Sequence, residues 1–222
     1  MCMKQVGKTL ATMMMGAGCM LVLPAVAGAA ECVPTASSPS ASDYAPKDGE
    51  IPRGNNLARP AGKAVVAAGQ QLRLQGRVLD RDCKPVEGAV VELWQANRDG
   101  LYQYADRAAL ANPYAVFAGA GRTTTDNAGR FDFYTLFPGG TLENGIERAP
   151  RLHVRVRHRD VKALTTELFF DAERRNATDP VYQKLPGTAQ QGLTLRVVPY
   201  ARGELLAETT LIVDGHQPYV QY

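Results

Sequence analysis

From Gln71 the chain alternates strictly, with Leu72, Leu74, Gly76 and Val78 on one side and Arg73, Gln75 and Arg77 on the other. A two-residue period buries one face and wets the other, which predicts a strand laid over a core. Residues 89–94, 130–137, 152–158, 165–170, 193–198 and 207–213 also read as strands. Turn chemistry punctuates them, as in Asp80-Arg81-Asp82-Cys83-Lys84-Pro85 and Asp126-Asn127-Ala128-Gly129. No segment carries a clear helical period, and no internal repeat is found. Short strands separated by turns predict an all-β chain folded as a β-sandwich. The length, 222 residues, suits one domain with added segments. A net charge of +3, with no basic run interleaved with aromatics, predicts no nucleic-acid partner.

The first thirty residues read as a separate unit. Lys4 and Lys8 precede an apolar stretch over residues 10–26, broken by Gly16, Gly18 and Pro24 and closed by Ala27, Gly28, Ala29 and Ala30. This predicts a secretory signal over residues 1–29, cut at an Ala-x-Ala site after Ala29 or one residue later. The mature protein is then periplasmic or secreted and free of the membrane. A membrane anchor is the alternative, but the apolar stretch is short and broken for a spanning helix. A lipoprotein reading is weaker, because Glu31 precedes Cys32 where a small residue is expected. Cys2 and Cys19 leave with the signal, and Cys32 and Cys83 remain. In an oxidising compartment the two either form a disulfide, closing a loop of about fifty residues, or stay as buried thiols. Residues 30–70, rich in Pro, Ser, Ala and Gly, predict an extended arm over the surface. Residues 71–222 make the domain.

The run Leu74-Gln75-Gly76-Arg77-Val78, then Val91-Glu92-Leu93-Trp94-Gln95-Ala96-Asn97 and Gly100-Leu101-Tyr102, resembles the intradiol ring-cleaving dioxygenases, among them protocatechuate 3,4-dioxygenase and catechol 1,2-dioxygenase. The likeness continues through Gly121-Arg122, Gly129-Arg130-Phe131, Phe137-Pro138-Gly139 and Arg148-Ala149-Pro150-Arg151-Leu152-His153. It implies a β-sandwich of the intradiol type. It also implies a non-haem Fe(III) held by two tyrosines and two histidines, since a hard ferric ion prefers anionic oxygen donors supported by imidazole. An arginine beside the metal stabilises charge that develops on the aromatic diol.

Carried over by position, Tyr102 matches the first tyrosine ligand and His153 the second histidine. Thr141 stands where the second tyrosine belongs, and Arg151 where the first histidine belongs. Arg148 matches the charge-stabilising, catalytic arginine. Glu167 stands near a position where the family often has glutamine. A guanidinium cannot ligate a metal. Read without the family, Arg151, His153, Arg155 and Arg157 form a solvated strand face, and Tyr102 packs the sandwich mouth. Tyr104, Tyr134 or Glu167 could repair the ligand set, although Tyr134 alternates opposite to Phe131 and Phe133. Trp94 reads as core, and His158 and His216 as surface residues.

Three functions follow as expectations. The first is ring cleavage at an altered iron site. The second is a non-catalytic role, either binding small aromatics or serving as a partner subunit in a homo- or hetero-oligomer. For that the family has a precedent, pairing a catalytic chain with a similar chain that lacks iron. Arg148, Arg151, Thr141, Glu167 and His153 would then form a cationic pocket for an aromatic carboxylate. The third is a plain adhesion or carrier module.

Overall fold

The computed structural model describes residues 31–42, 44–47, 49–104 and 116–216. The segment expected to be a secretory signal, its expected cleavage site and residues 217–222 lie outside the described residues. Eleven strands run through the described chain: β1 (Gln71–Leu79), β2 (Val90–Trp94), β3 (Ala120–Thr124), β4 (Arg130–Leu136), β5 (Thr141–Glu143), β6 (Ile146–Arg148), β7 (Arg151–His158), β8 (Val161–Phe170), β9 (Thr194–Leu195), β10 (Val197–Pro199) and β11 (Leu205–Ile212). They build a four-stranded sheet in the order β10-β11-β1-β4 and a five-stranded sheet in the order β3-β2-β7-β8-β9. Strands β5 and β6 form a separate hairpin. Its turn is Asn144-Gly145, both at positive φ, the pairing that a tight hairpin turn favours.

The core between the two sheets follows the alternation in the sequence. Leu72, Leu74 and Val78 of β1 meet Val91 and Leu93 of β2, Phe133 of β4, and Leu152, Val154 and Val156 of β7, all fully buried. On β7 the intervening residues point to the other face of the five-stranded sheet. That face is covered as well, since Arg151 and His153 are only 2% and 0% exposed. The solvated-face reading therefore fails for those two positions. Trp94 is buried, but outside the main core, in a small cluster with Ile51 and Ala120 on the same outer face as His153.

Several sequence expectations change. The run over residues 193–198 is not one strand: β9 lies in the five-stranded sheet and β10 in the four-stranded one. Two short helices precede it, α1 (Pro180–Lys184) and α2 (Gly187–Leu193), each too brief to show a period. The arm is more than surface cover, because Ser38, Ala41, Ile51, Leu57 and Ala58 are buried. A disulfide joins Cys32 to Cys83 and fixes the start of the arm to the turn after β1.

Candidate functional site

The site is built on one row across the outer face of the five-stranded sheet. Trp94 on β2, His153 on β7 and Glu167 on β8 stand opposite one another in register. Arg151 lies two residues before His153 on the same face. The β5–β6 hairpin folds against this face and brings Thr141, Glu143 and Arg148, with Thr141 opposite Arg148.

Tyr102 comes from the loop after β2. Asn97 organises that loop, its side-chain oxygen accepting from the amides of Asp99 and Leu101. Gly100 has φ +83°, and a Cβ there would lie 2.2 Å from the Gly140 carbonyl oxygen, so the loop and the turn before β5 touch backbone to backbone. That contact sets Tyr102 near Thr141. The Tyr102 hydroxyl hydrogen-bonds His153 Nε2 at 2.7 Å. Burial raises the pKa of the Tyr102 phenol above its usual value, so the hydroxyl stays protonated and donates. His153 is held neutral: burial lowers its pKa well below the ordinary value, and Arg151 and Arg148 push the same way. The Trp94 ring stacks on His153 with centroids 5.4 Å apart.

The two arginines are committed to carboxylates. Arg151 Nε donates to Glu167 Oε1 at 2.9 Å, Nη1 donates to Thr141 Oγ1 at 3.2 Å, and Nη2 pairs with Glu143. Arg148 Nη1 donates to Glu143 Oε2 and Nε to Asp179 Oδ2, both at 2.8 Å. Asp179 is also the N-cap of α1, where its other oxygen accepts from the amides of Val181 and Tyr182. Burial works against the charged form of Glu143, but Arg151, Thr141 and Arg148 outweigh it and hold the carboxyl below its usual range. Asp179 is also lowered: burial opposes ionisation, and the Tyr182 amide, Arg148 and the Ala149 amide overcome it.

The arm closes the site. Ser38 and Ser40 donate to Glu167 Oε2 at 2.6 and 2.8 Å. Tyr44 lays its ring on that of Tyr102, with centroids 4.2 Å apart and planes 3° apart.

All six residues singled out by sequence, Tyr102, Thr141, Arg148, Arg151, His153 and Glu167, thus meet at one place. Tyr134 does not join them. It sits on β4 in the other sheet, with the Arg73 guanidinium over its ring at 4.9 Å. His158 and His216 lie beside Asp160 and Asp82, away from the row. Sequence reasoning missed Glu143, Asp179, Ser38, Ser40 and Tyr44. Only Asp179 carried a local signal, as an N-cap residue directly before Pro180.

The comparisons with known proteins bear on the family and the fold. A dioxygenase family model matches residues 41–216, most of the chain. The chain belongs to the intradiol ring-cleaving dioxygenase family. It is 36% identical over 170 residues to the alpha chain of protocatechuate 3,4-dioxygenase from Pseudomonas putida, covering 74% of this chain and 73% of that one. It is 34% identical over 151 residues to the beta chain from Burkholderia cepacia, covering 65% of this chain and 63% of the other. The matches to relatives from Rickettsia species span 62% to 66% of their length. Among solved structures, the dioxygenase domain of a carbohydrate-binding fusion from Streptomyces sp. SirexAA-E matches with TM-score 0.63 and 25% identity, over 83% of this chain and all of that one. An intradiol ring-cleavage dioxygenase from Tetranychus urticae shares the fold with TM-score 0.65 at 20% identity, over 82% of this chain and 95% of that one.

The intradiol family is Fe(III)-dependent, so the residues at the four positions expected to hold ligands can be tested against that ion. They supply one phenol and one imidazole, hydrogen-bonded to each other. The other two positions supply a hydroxyl and a guanidinium, also hydrogen-bonded to each other. A single phenol, even when ionised, gives the ion less anionic character than two would, and the guanidinium adds a fixed positive charge.

Proposed function

We propose that this protein is an exported, non-catalytic member of the intradiol dioxygenase family that acts by binding, as an aromatic-binding protein or as the partner subunit of a homologous chain. One observation carries the reading. The Arg151 guanidinium takes a histidine ligand's place and is held there by Thr141, Glu143 and Glu167. The donor set does not fit a ferric ion. Arg148, the residue that would steady charge on a substrate, is already engaged by Asp179 and Glu143. The similarity to the alpha and beta chains of protocatechuate 3,4-dioxygenase supports assembly with a second chain. The N-terminal charge and apolar pattern, with the Cys32–Cys83 disulfide, supports export.

Iron content and visible absorption of the protein, expressed with its own N-terminus and supplied with iron, test the reading. A colourless, iron-free protein with no catechol turnover is expected. Stoichiometric iron with a broad visible band would overturn it, because a tyrosinate–Fe(III) bond absorbs strongly in the visible.

A further inference from the structure

The four-stranded sheet has a site of its own on its outer face. Arg77, Arg130, Glu208 and Thr210 are exposed there and help to line a cavity of about 860 Å³. The register fixes how they stand. Leu74 and Val78 of β1 face the core, so Gln75 and Arg77 face outward. Arg77 lies opposite Arg130 on β4 and opposite Thr210 on β11. Two residues back along β1, about 7 Å away, Gln75 lies opposite Asp132 and Glu208. One row therefore carries two guanidinium groups, and the next carries carboxylates and an amide. Arg73, one row further, is engaged: it pairs with Asp132 at 3.4 Å and lies over the Tyr134 ring. Arg77 and Arg130 are not. Among the described residues neither guanidinium has a hydrogen-bond acceptor or a carboxylate within ion-pair distance, and Glu208 has no cation. Asp126, which also lines the cavity, turns one oxygen to the amides of Ala128 and Arg130. Like charges directly opposite on neighbouring strands destabilise a sheet, and an anion between them would reverse that effect.

We propose that this cavity binds a phosphorylated sugar, with the phosphate between Arg77 and Arg130 and the sugar hydroxyls over the row of Gln75 and Glu208. A phosphate monoester is close to a dianion at neutral pH and offers three acceptor oxygens, which matches two guanidinium groups in charge and in donors. The second row suits a polyhydroxylated body. The Glu208 carboxylate accepts from hydroxyls. The Gln75 amide turns its oxygen to the Arg73 guanidinium at 3.2 Å, which leaves its nitrogen to donate. Glu208 also repels a second anionic group, so the ligand carries one phosphate at the arginine row and an uncharged remainder. The cavity volume falls within the range of about 300–1,000 Å³ usual for small-molecule sites. The site lies on the opposite sheet from Arg148 and Arg151 and is independent of the function proposed for that place.

Calorimetric titration of the full-length protein with glucose 6-phosphate, glucose and inorganic phosphate tests the site, using wild type, Arg77→Gln, Arg130→Gln and, as a control for lost charge, Arg159→Gln, whose side chain is 88% exposed on the other sheet. Glucose 6-phosphate is expected to bind wild type saturably, and Arg77→Gln and Arg130→Gln each to weaken it roughly fivefold or more, while Arg159→Gln leaves it unchanged. Inorganic phosphate is expected to bind roughly fivefold more weakly than glucose 6-phosphate, because it lacks the hydroxyls that reach the second row. Arg77 and Arg130 are exposed and face each other, so neither variant is expected to lower the urea midpoint read from Trp94 fluorescence, and lost binding is then not lost folding. In wild type, bound glucose 6-phosphate is expected to shift the amide resonances of Thr209 and Thr210, a measurement that needs no variant. No saturable binding, equal weakening by Arg159→Gln, or unmoved resonances at Thr209 and Thr210 overturns the site. Inorganic phosphate binding as tightly as glucose 6-phosphate overturns the assignment of the ligand and leaves an adventitious ion only.

Discussion

Arg151 is the residue whose removal tells most about how this site is held. Arg151→Met keeps the length and apolar stem of the side chain and deletes its charge. Glu167 is fully buried and Glu143 partly so, and both then lose their closest cation. Breaking a buried ion pair from one side costs about 3–5 kcal/mol. Glu167 keeps the hydroxyls of Ser38 and Ser40 and faces Arg148 Nη2 at 3.5 Å, which argues for the lower end, about 3 kcal/mol by the same scale. With a urea dependence of about 2 kcal/mol per molar, that loss moves the unfolding midpoint down by about 1.5 M at neutral pH. The chain has a single tryptophan, Trp94, next to His153, so its fluorescence follows unfolding at the site itself. Adding Glu167→Gln should recover at least about 1 kcal/mol, because the uncompensated charge goes with it. The pH dependence has a definite sign. Glu143 is lowered from 4.5 in the folded protein, so its contribution is complete above that value and is lost as pH falls through the depressed one. The wild-type advantage over Arg151→Met is therefore full at neutral pH and shrinks in acid below 4.5. A midpoint shift under about 0.5 M at neutral pH, or strict additivity in the double variant, would falsify the account of Arg151 as the cation that compensates these carboxylates.

Two further outcomes are expected. His153 is kept neutral by burial and by Arg151 and Arg148, so folding is favoured above its ordinary value of 6.5 and loses up to about 1.4 kcal/mol per pH unit below it. Unfolding curves taken between pH 7 and pH 5 should show this slope in wild type and not in His153→Gln, and equal slopes would refute it. Cys32→Ser opens a link between residues 51 apart in sequence, which the chain-entropy model values at about 4 kcal/mol. The variant should therefore melt well below wild type, and an unchanged melting temperature would mean that the arm is held by its other contacts alone.

The sandwich was legible because burial imposes a two-residue period on every strand that faces the core. Leu72 to Val78 and Leu152 to Val156 show it, and both landed as expected. β3 escaped because its residues, Ala120, Gly121, Arg122, Thr123 and Thr124, carry little apolar signal, and β5 and β6 because three residues make no period. That these residues meet at one place was legible through the family resemblance. What those positions now do was not legible, because the partners come from elsewhere in the chain. Glu143 sits on the exposed side of sequence logic, as a polar residue next to an Asn-Gly turn, and Asp179 reads as a helix cap. Only the folded register brings both to Arg148. The arm misled for a related reason. Small polar residues such as Ser38 and Ser40 look like linker composition, yet they are the hydroxyls that cover a buried carboxylate.

β11 has a consequence for how the protein can be made. It lies between β10 and β1, parallel to β1, and pairs Leu72 with Leu205 through Leu79 with Ile212. The first strand of the domain thus waits for nearly the whole chain before one of its two neighbours exists. Contacts this distant in sequence form slowly and late. Until residue 212 has been synthesised, β1 offers an open edge, and a chain stopped short of that point keeps the edge for good, where it can recruit other strands. Completion of the four-stranded sheet therefore waits on β11, however much of the rest has already folded.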